Sequence, residues 1–353
     1  MRSFDHTEEY AGLLTPDIVT LLTQIHEYKG AQNTFLKSRE GDLTLLRETA
    51  GIRSAESSNA LAGVNTSDAR LKKLVLGKTL PRTREEEELA GYRDVLFAIQ
   101  ENYAYLPVRA QTILQLHQDL YRYSGKSVGG SYRASDSATK GGGGTDNRSE
   151  GMPLLSAQEV PEAMDSLCGA LDAARRREDY DAMLLMPMFV LDFLCICPFS
   201  DGNARLSRLL TLLLLCRAGC FVGKYVSIEK LLEESKEEYR EALRQSAIGW
   251  QDGRNDCAPF ARYMLGVVCA ACREFSVHME ALEGEKRSKP ERIAALIRET
   301  GGVITKSEIM SRSPDIAQAT VQRTLIELQR NGSIIKIGGG RYTSYTWNWE
   351  KET

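Results

Sequence analysis

The stretch CPFSDGNARLSR, residues 197–208, interrupts two leucine-rich runs with an acid, an amide, small residues and two arginines. Upstream, DAMLLMPMFVLDFLCIC (181–197) is apolar nearly all round, the pattern of a helix at the centre of a bundle. Downstream, RLSRLLTLLLLCRAG (205–219) is nearly as apolar. The stretch therefore reads as a tight turn between two buried helices. Gly202 and Asn203 suit a turn whose backbone N–H groups converge where the second helix starts, a ready anion site. Asp201 is placed to hold a hard divalent cation beside phosphate oxygens. Arg205 and Arg208, three residues apart, share a helix face, and two guanidinium forks there match polyphosphate oxygens. The competing reading is a helical hairpin with a satisfied turn and surface arginines.

Working outward, residues 15 to about 125 read as helices, with a cap-like Thr15 before Pro16. The text then changes to SGKSVGGSYRASDSATKGGGGTDNRSEGMP (124–153), rich in Gly, Ser and Asp and without periodicity, which predicts a long surface loop or a hairpin with a mobile tip. Helices resume at SAQEVPEAMDSLCGALDAARRRE and continue past the central stretch to EGEKRSKP (283–290), where polar text ending in Pro290 suggests a domain boundary. The tail reads as helix, short helix, longer helix and a hairpin around three glycines, the order of a winged helix-turn-helix.

The 353 residues are 42% hydrophobic and 26% charged, enough for two domains or one large domain with an appendage. No apolar run is long enough to cross a bilayer, and the acidic start MRSFDHTEEYAG has no signal-peptide core, so a cytoplasmic location without membrane contact is the expectation. Eight cysteines lie mostly in apolar helical text and read as buried thiols; only Cys269 and Cys272 have ligand spacing, and they lack a second pair. From Lys286 onward the chain has 12 basic residues against 7 acidic, a net of +5, which leaves −8 for the rest.

The central stretch resembles the Fic motif, His-Pro-Phe-x-Asp/Glu-Gly-Asn-Gly-Arg-x-x-Arg. Pro198, Phe199, Asp201, Gly202, Asn203, Arg205 and Arg208 match; Cys197 stands at the histidine and Ala204 at the second glycine. HQDLYRYSGKSVGGSYRASD (117–136) is similar to the approach to the family's target-docking flap, and residues 221–243 to the helices after the motif. ESSNALAGV (56–64) stands where the family has an inhibitory helix, Ser/Thr-x-x-x-Glu-Gly/Asn; here Ser58 and Gly63 fit and Ala62 replaces the glutamate. The resemblance implies a mainly α fold in three parts: an N-terminal helical region with the inhibitory-helix-like segment (1–110), a Fic core with a flap hairpin (111–283), and a winged helix-turn-helix (290–349).

It further implies AMP transfer from ATP to a target-protein hydroxyl with Mg²⁺ bound. Asp201 would hold the metal, Gly202, Asn203 and Ala204 would line the phosphate site, and Arg205 and Arg208 would grip the outer phosphates. The family histidine is the general base, worth roughly 10² to 10⁴ in rate. Cysteine near its ordinary pKa is a few per cent thiolate at neutral pH, so transfer by that route should be impaired. Cys197 is then a packing residue in a dead site, a reactive nucleophile if the anion site lowers its pKa, or a weakly active base. His6, His26, His117 and His278 are the other histidines that could approach. An alanine at 204 would cost on the order of 1 kcal/mol and crowd the ligand if φ were positive there or if the backbone met the phosphate closely. Ala62 removes the glutamate that pairs with the second arginine in the family, which predicts a free Arg208. Ser137 and the glycine run after it depart from the family's flap, so target docking is affected as well.

In the tail, Gln318, Gln322 and Arg323 fall on one outer face of the third helix, and Lys336 and Arg341 flank the wing. Gln and Arg suit adenine and guanine edges, so double-stranded DNA is one expected partner. Such modules also dock proteins or form homodimers. Two functions are carried forward: a slowed Fic-type nucleotidyltransferase with ATP and a target protein as partners, and an inactive Fic-like regulator acting through its winged helix.

Overall fold

The computed structural model describes all residues except 1–3, 5, 39, 64–67, 125–128, 137–154, 178, 287, 341–342 and 350–353. It forms two compact units, Met1–Ser276 and Val277–Thr353. The first is helical: α1 (His6–Leu13), α2 (Pro16–Ser38), α3 (Glu40–Leu61), α4 (Asp68–Val75), α5 (Arg84–Asn102), α6 (Ala110–Leu120), α7 (Val160–Arg175), α8 (Ala182–Ile196), α9 (Asn203–Arg217), α10 (Ile228–Glu234), α11 (Lys236–Ala247) and α12 (Ala258–Lys286), the last continuing into the second unit. No helix among the described residues is long and apolar enough to cross a membrane. All eight cysteines are buried thiols without a disulfide.

The apolar text explains which helices take the centre. Thirteen of the fifteen residues of α8 are buried, as is every residue of α9 from Asn203 to Cys216. Asp181 caps α8 by accepting from the Met183 N–H at 2.8 Å. Around this pair the other helices assemble by their apolar stripes. Thr83 caps α5, followed by Glu85, Glu86 and Glu87 in the first turn, where carboxylates complement the helix dipole. Helices α5 and α6 approach closely because residue 91 is glycine: a Cβ there would lie 2.0 Å from the Leu120 carbonyl oxygen. That approach sets the end of α6 beside α9. The α1 helix was not foreseen in the acidic N-terminal text, and Thr15 hydrogen-bonds the Asp17 carboxylate at 2.6 Å instead of a backbone N–H.

In the second unit α13 (Lys289–Glu299), β1 (Ile304–Thr305), α14 (Lys306–Arg312), α15 (Gln318–Arg330), β2 (Ile334–Ile337) and β3 (Ser344–Trp347) follow in order. Capping boxes at Ser288/Glu291 and Thr305/Glu308 start α13 and α14. The sheet is antiparallel in the order β1-β3-β2, with Ile334 opposite Trp347 and Ile304 opposite Tyr345. The two-residue β1 adds to the hairpin read from the sequence. Ile293, Ile297, Ile304, Ile309, Ile316, Val321, Leu325 and Ile334 form the core.

Candidate functional site

The 197–208 stretch is the bend between α8 and α9. Cys197 ends α8 in the left-handed region, φ 50° and ψ 62°, and is the one non-glycine residue with positive φ among those described. Its side chain is buried. Gly202, φ 82°, precedes α9, and Asn203 and Ala204 open the helix. The positive φ thus falls on Gly202, and Ala204 has helical geometry, so a backbone cost from positive φ does not arise at 204; its Cβ still stands in the turn proposed to meet the phosphate. Helix geometry leaves the first-turn N–H groups of α9 without carbonyls four residues back, which suits them to an anion.

Side chains from the loop itself brace it. The Asn203 amide donates to the Phe199 carbonyl at 2.8 Å, and its oxygen accepts from the Phe199 N–H at 3.0 Å. Asn203 therefore spends its side chain on loop closure. The Asp201 carboxylate accepts from the Gly202 N–H at 2.7 Å and lies 3.7 Å from an Arg205 nitrogen. It is one-quarter exposed. One carboxylate, supplemented by waters and phosphate oxygens, is an ordinary Mg²⁺ donor set. No cluster of three or more His, Cys, Asp or Glu side chains able to hold a metal by themselves occurs among the described residues.

Both arginines are buried, with 3% and 4% of their surface exposed. Arg205 donates to Glu88 of α5 at 2.9 Å and to the Tyr121 hydroxyl at 2.8 Å. Glu88 also accepts from Arg84 at 3.0 Å. Burial pushes the Tyr121 pKa up, so this hydroxyl stays protonated beside Asp201. Arg208 donates to the Ser58 hydroxyl at 2.9 Å and the Ser58 carbonyl at 2.8 Å. The expectation of a free Arg208 is thereby corrected: although residue 62 is alanine, α3 reaches this arginine four residues earlier, through Ser58. Behind it Tyr92, pushed well up in pKa by burial, donates to Glu229 of α10 at 2.7 Å. Ala62 and Gly63, φ 78°, form the turn that follows α3.

His117 packs flat on Phe199, ring centroids 3.7 Å apart and 11° from parallel. Its Nδ1 accepts from the Gly130 N–H at 3.1 Å, which places the proton on Nε2, 3.0 Å from the Asp201 carbonyl oxygen. It is completely buried, and desolvation holds its pKa at about 4. His117 is thus the histidine nearest the loop and is spent as a neutral brace. His26 pairs with Asp181, at the opposite end of α8 from Cys197, roughly 20 Å along the helix.

Arg133 was not singled out in the sequence. Its Nε donates to the Cys197 carbonyl and its backbone N–H to the Pro198 carbonyl, both at 2.9 Å. It also reaches the Leu155 carbonyl, so it joins both sides of the flap text to the bend. Ser137 and the glycine run lie outside the described residues. In the tail, Gln318, Gln322 and Arg323 are exposed on α15 and Lys336 is exposed on β2. Lys306 donates to the Gln322 side-chain oxygen at 2.9 Å. Arg341 lies outside the described residues.

Residues 107–215 match the Fic/DOC family model. Among solved structures, a Fic family protein from Desulfovibrio desulfuricans G20 is 22% identical, covering 95% of this chain and 97% of its own, with a TM-score of 0.60. A Fic domain containing signaling protein from Bacteroides thetaiotaomicron VPI-5482 is 19% identical over 77% of this chain and 100% of its own, TM-score 0.59. Fic-1 from C. elegans is 18% identical over 77% and 75%, TM-score 0.57. No curated protein matches the chain. The mainly helical fold is similar to that of these Fic proteins, and the segment that builds the bend lies within the residues that match the Fic/DOC family model.

Proposed function

We propose that the bend binds the phosphates of a nucleotide, ATP with Mg²⁺, and that the chain is a Fic-type protein whose AMP transfer is strongly slowed by Cys197. The observation that supports this reading is the pairing of a turn that ends on Gly202 at the start of α9 with the loss of a usable base. Gly202 opens α9 toward an anion, while the nearest imidazole, His117, has both nitrogens engaged in bracing the loop. Asp201 would hold Mg²⁺, which when bound neutralises phosphate charge. The first turn of α9 would orient the α-phosphate. Arg205 and Arg208 would reach the outer phosphates after exchanging their present partners.

The native chain and a Cys197→His variant, each incubated with Mg²⁺ and α-labelled ATP, test the proposal. Label transfer in the variant exceeding the native protein by roughly 10² or more is expected. Equal labelling of the two, or none by either, refutes it.

A second reading places the function in the tail as a winged helix-turn-helix, where exposed Gln318, Gln322 and Arg323 on α15 and Lys336 on β2 offer base-edge and phosphate donors. Duplex DNA binding by the full chain that weakens steeply with salt, and loses about one unit of salt slope in Lys336→Ala, supports this reading. Binding absent at low salt removes it.

A further inference from the structure

We infer that Glu88 is a specificity-determining residue of this phosphate site: a carboxylate that competes with the outer phosphates of a nucleotide for Arg205, so that the native site scarcely distinguishes AMP from ATP. The inference rests on the reading of the bend as a nucleotide-phosphate site. Glu88 and Arg205 are 2.9 Å apart with side chains only 8% and 4% exposed, so this is a desolvated ion pair and not a surface contact. The other oxygen of Glu88 is 3.0 Å from Arg84, which anchors the carboxylate from the solvent side. The remaining fork of Arg205 faces the Tyr121 hydroxyl at 2.8 Å and Asp201 at 3.7 Å. Arg208 gives two donors to Ser58. Each guanidinium thus already has oxygen acceptors in the places a phosphate would take.

The consequence differs along the nucleotide. An α-phosphate addresses the backbone N–H groups of the first turn of α9, where Glu88 holds only the Arg205 side chain. A β- or γ-phosphate must displace Glu88 from Arg205, trading one buried anion for another and leaving the displaced carboxylate with Arg84 alone. Such an exchange yields little net affinity, because the gain at Arg205 is offset by the loss at Glu88. Glutamine at 88 keeps the shape and an acceptor while removing the charge. The outer phosphates then gain a charge-assisted contact at Arg205, worth roughly tenfold or more in affinity.

Calorimetric titration of the full chain with AMP, ADP and ATP in Mg²⁺, repeated on Glu88→Gln, decides the matter. Expected are native dissociation constants for AMP and ATP within about threefold, and a tightening of ATP by about tenfold or more in the variant with AMP unmoved. Native ATP binding at least about tenfold tighter than AMP overturns the role of Glu88 and leaves the phosphate site standing. Equal tightening of AMP and ATP in the variant also overturns it, as a general charge effect. No binding of any nucleotide by either protein overturns the phosphate site itself. If a thermal melt shows that Glu88→Gln is unfolded, the native AMP to ATP ratio decides alone.

Discussion

Lowering the pH should loosen the bend through His117. In the folded chain its pKa is held at about 4 by burial, against 6.5 for an ordinary histidine. A folded-state pKa below the unfolded value means that the unfolded chain takes up the proton first as pH falls. The stability contribution is therefore complete above pH 6.5, declines between 6.5 and about 4, and is fully lost below. The imidazole has no exposed surface, so solvent screening gives no reason to discount the shift. Between pH 7.5 and 4.5 the linkage amounts to about 2.5 kcal/mol. Glutamine at 117 can still accept from Gly130 and donate toward Asp201 but does not titrate. Urea unfolding of the native chain and His117→Gln at the two pH values should show the native protein losing about 2.5 kcal/mol more than the variant. Carboxylates titrate equally in both proteins, so the difference isolates the imidazole. Equal pH sensitivity of the two, or an imidazole NMR titration near 6.5, would refute the reasoning.

Three further outcomes follow from the packing. Gly91→Ala places a Cβ against the Leu120 carbonyl and must part α5 from α6, costing about 1–3 kcal/mol or more by thermal melting; an unchanged melting temperature would mean the helices are not locked there. Ser58→Ala leaves Arg208 without its hydroxyl acceptor and should cost about 1–3 kcal/mol in chemical denaturation, whereas a neutral effect would show that the Ser58 carbonyl suffices. Arg205→Ala strands Glu88 in its buried position and should cost about 3–5 kcal/mol, with Arg205→Met plus Glu88→Leu recovering most of it; additive losses in the double variant would deny the coupling.

What the sequence made legible is the bend and its two helices, because residues 197–208 punctuate apolar text that can only be buried. The tail was legible through its order of elements, helix, short helix, longer helix and hairpin, whose starts the structure shows to be fixed by capping boxes at Ser288 and Thr305. The partners of the arginines were not legible. Glu88 and Ser58 lie 117 and 150 positions away from Arg205 and Arg208; Glu88 has no local pattern that marks it among the glutamates of α5, and Ser58 is marked only as part of the inhibitory-helix-like segment, not as the partner of Arg208. The missing glutamate at position 62 predicts a liberated Arg208, but the hydroxyl and carbonyl of Ser58, one turn earlier on α3, bind it. The sequence offers His117 only as one of four histidines that could approach the bend, and the fold reveals it stacked on Phe199.

The backbone at residue 197 bears directly on what a histidine there would do. A left-handed conformation costs a non-glycine residue about 1–2 kcal/mol. Here the Arg133 guanidinium holds the Cys197 carbonyl, and the Arg133 N–H holds the next one. A charge-assisted bond in a buried setting contributes about 1.5–3 kcal/mol, enough to offset that cost. The direction in which the side chain of residue 197 leaves the backbone is therefore set by Arg133 and by the C-terminus of α8, not by the identity of the side chain. An imidazole at 197 would leave the chain along the same Cα–Cβ direction that the thiol follows. Weakening this support by Arg133→Ala should consequently abolish any transfer gained by Cys197→His while leaving Cys197 itself intact. Label transfer that survives in the Arg133→Ala, Cys197→His double variant would show that the base position is held by something other than this pair of contacts.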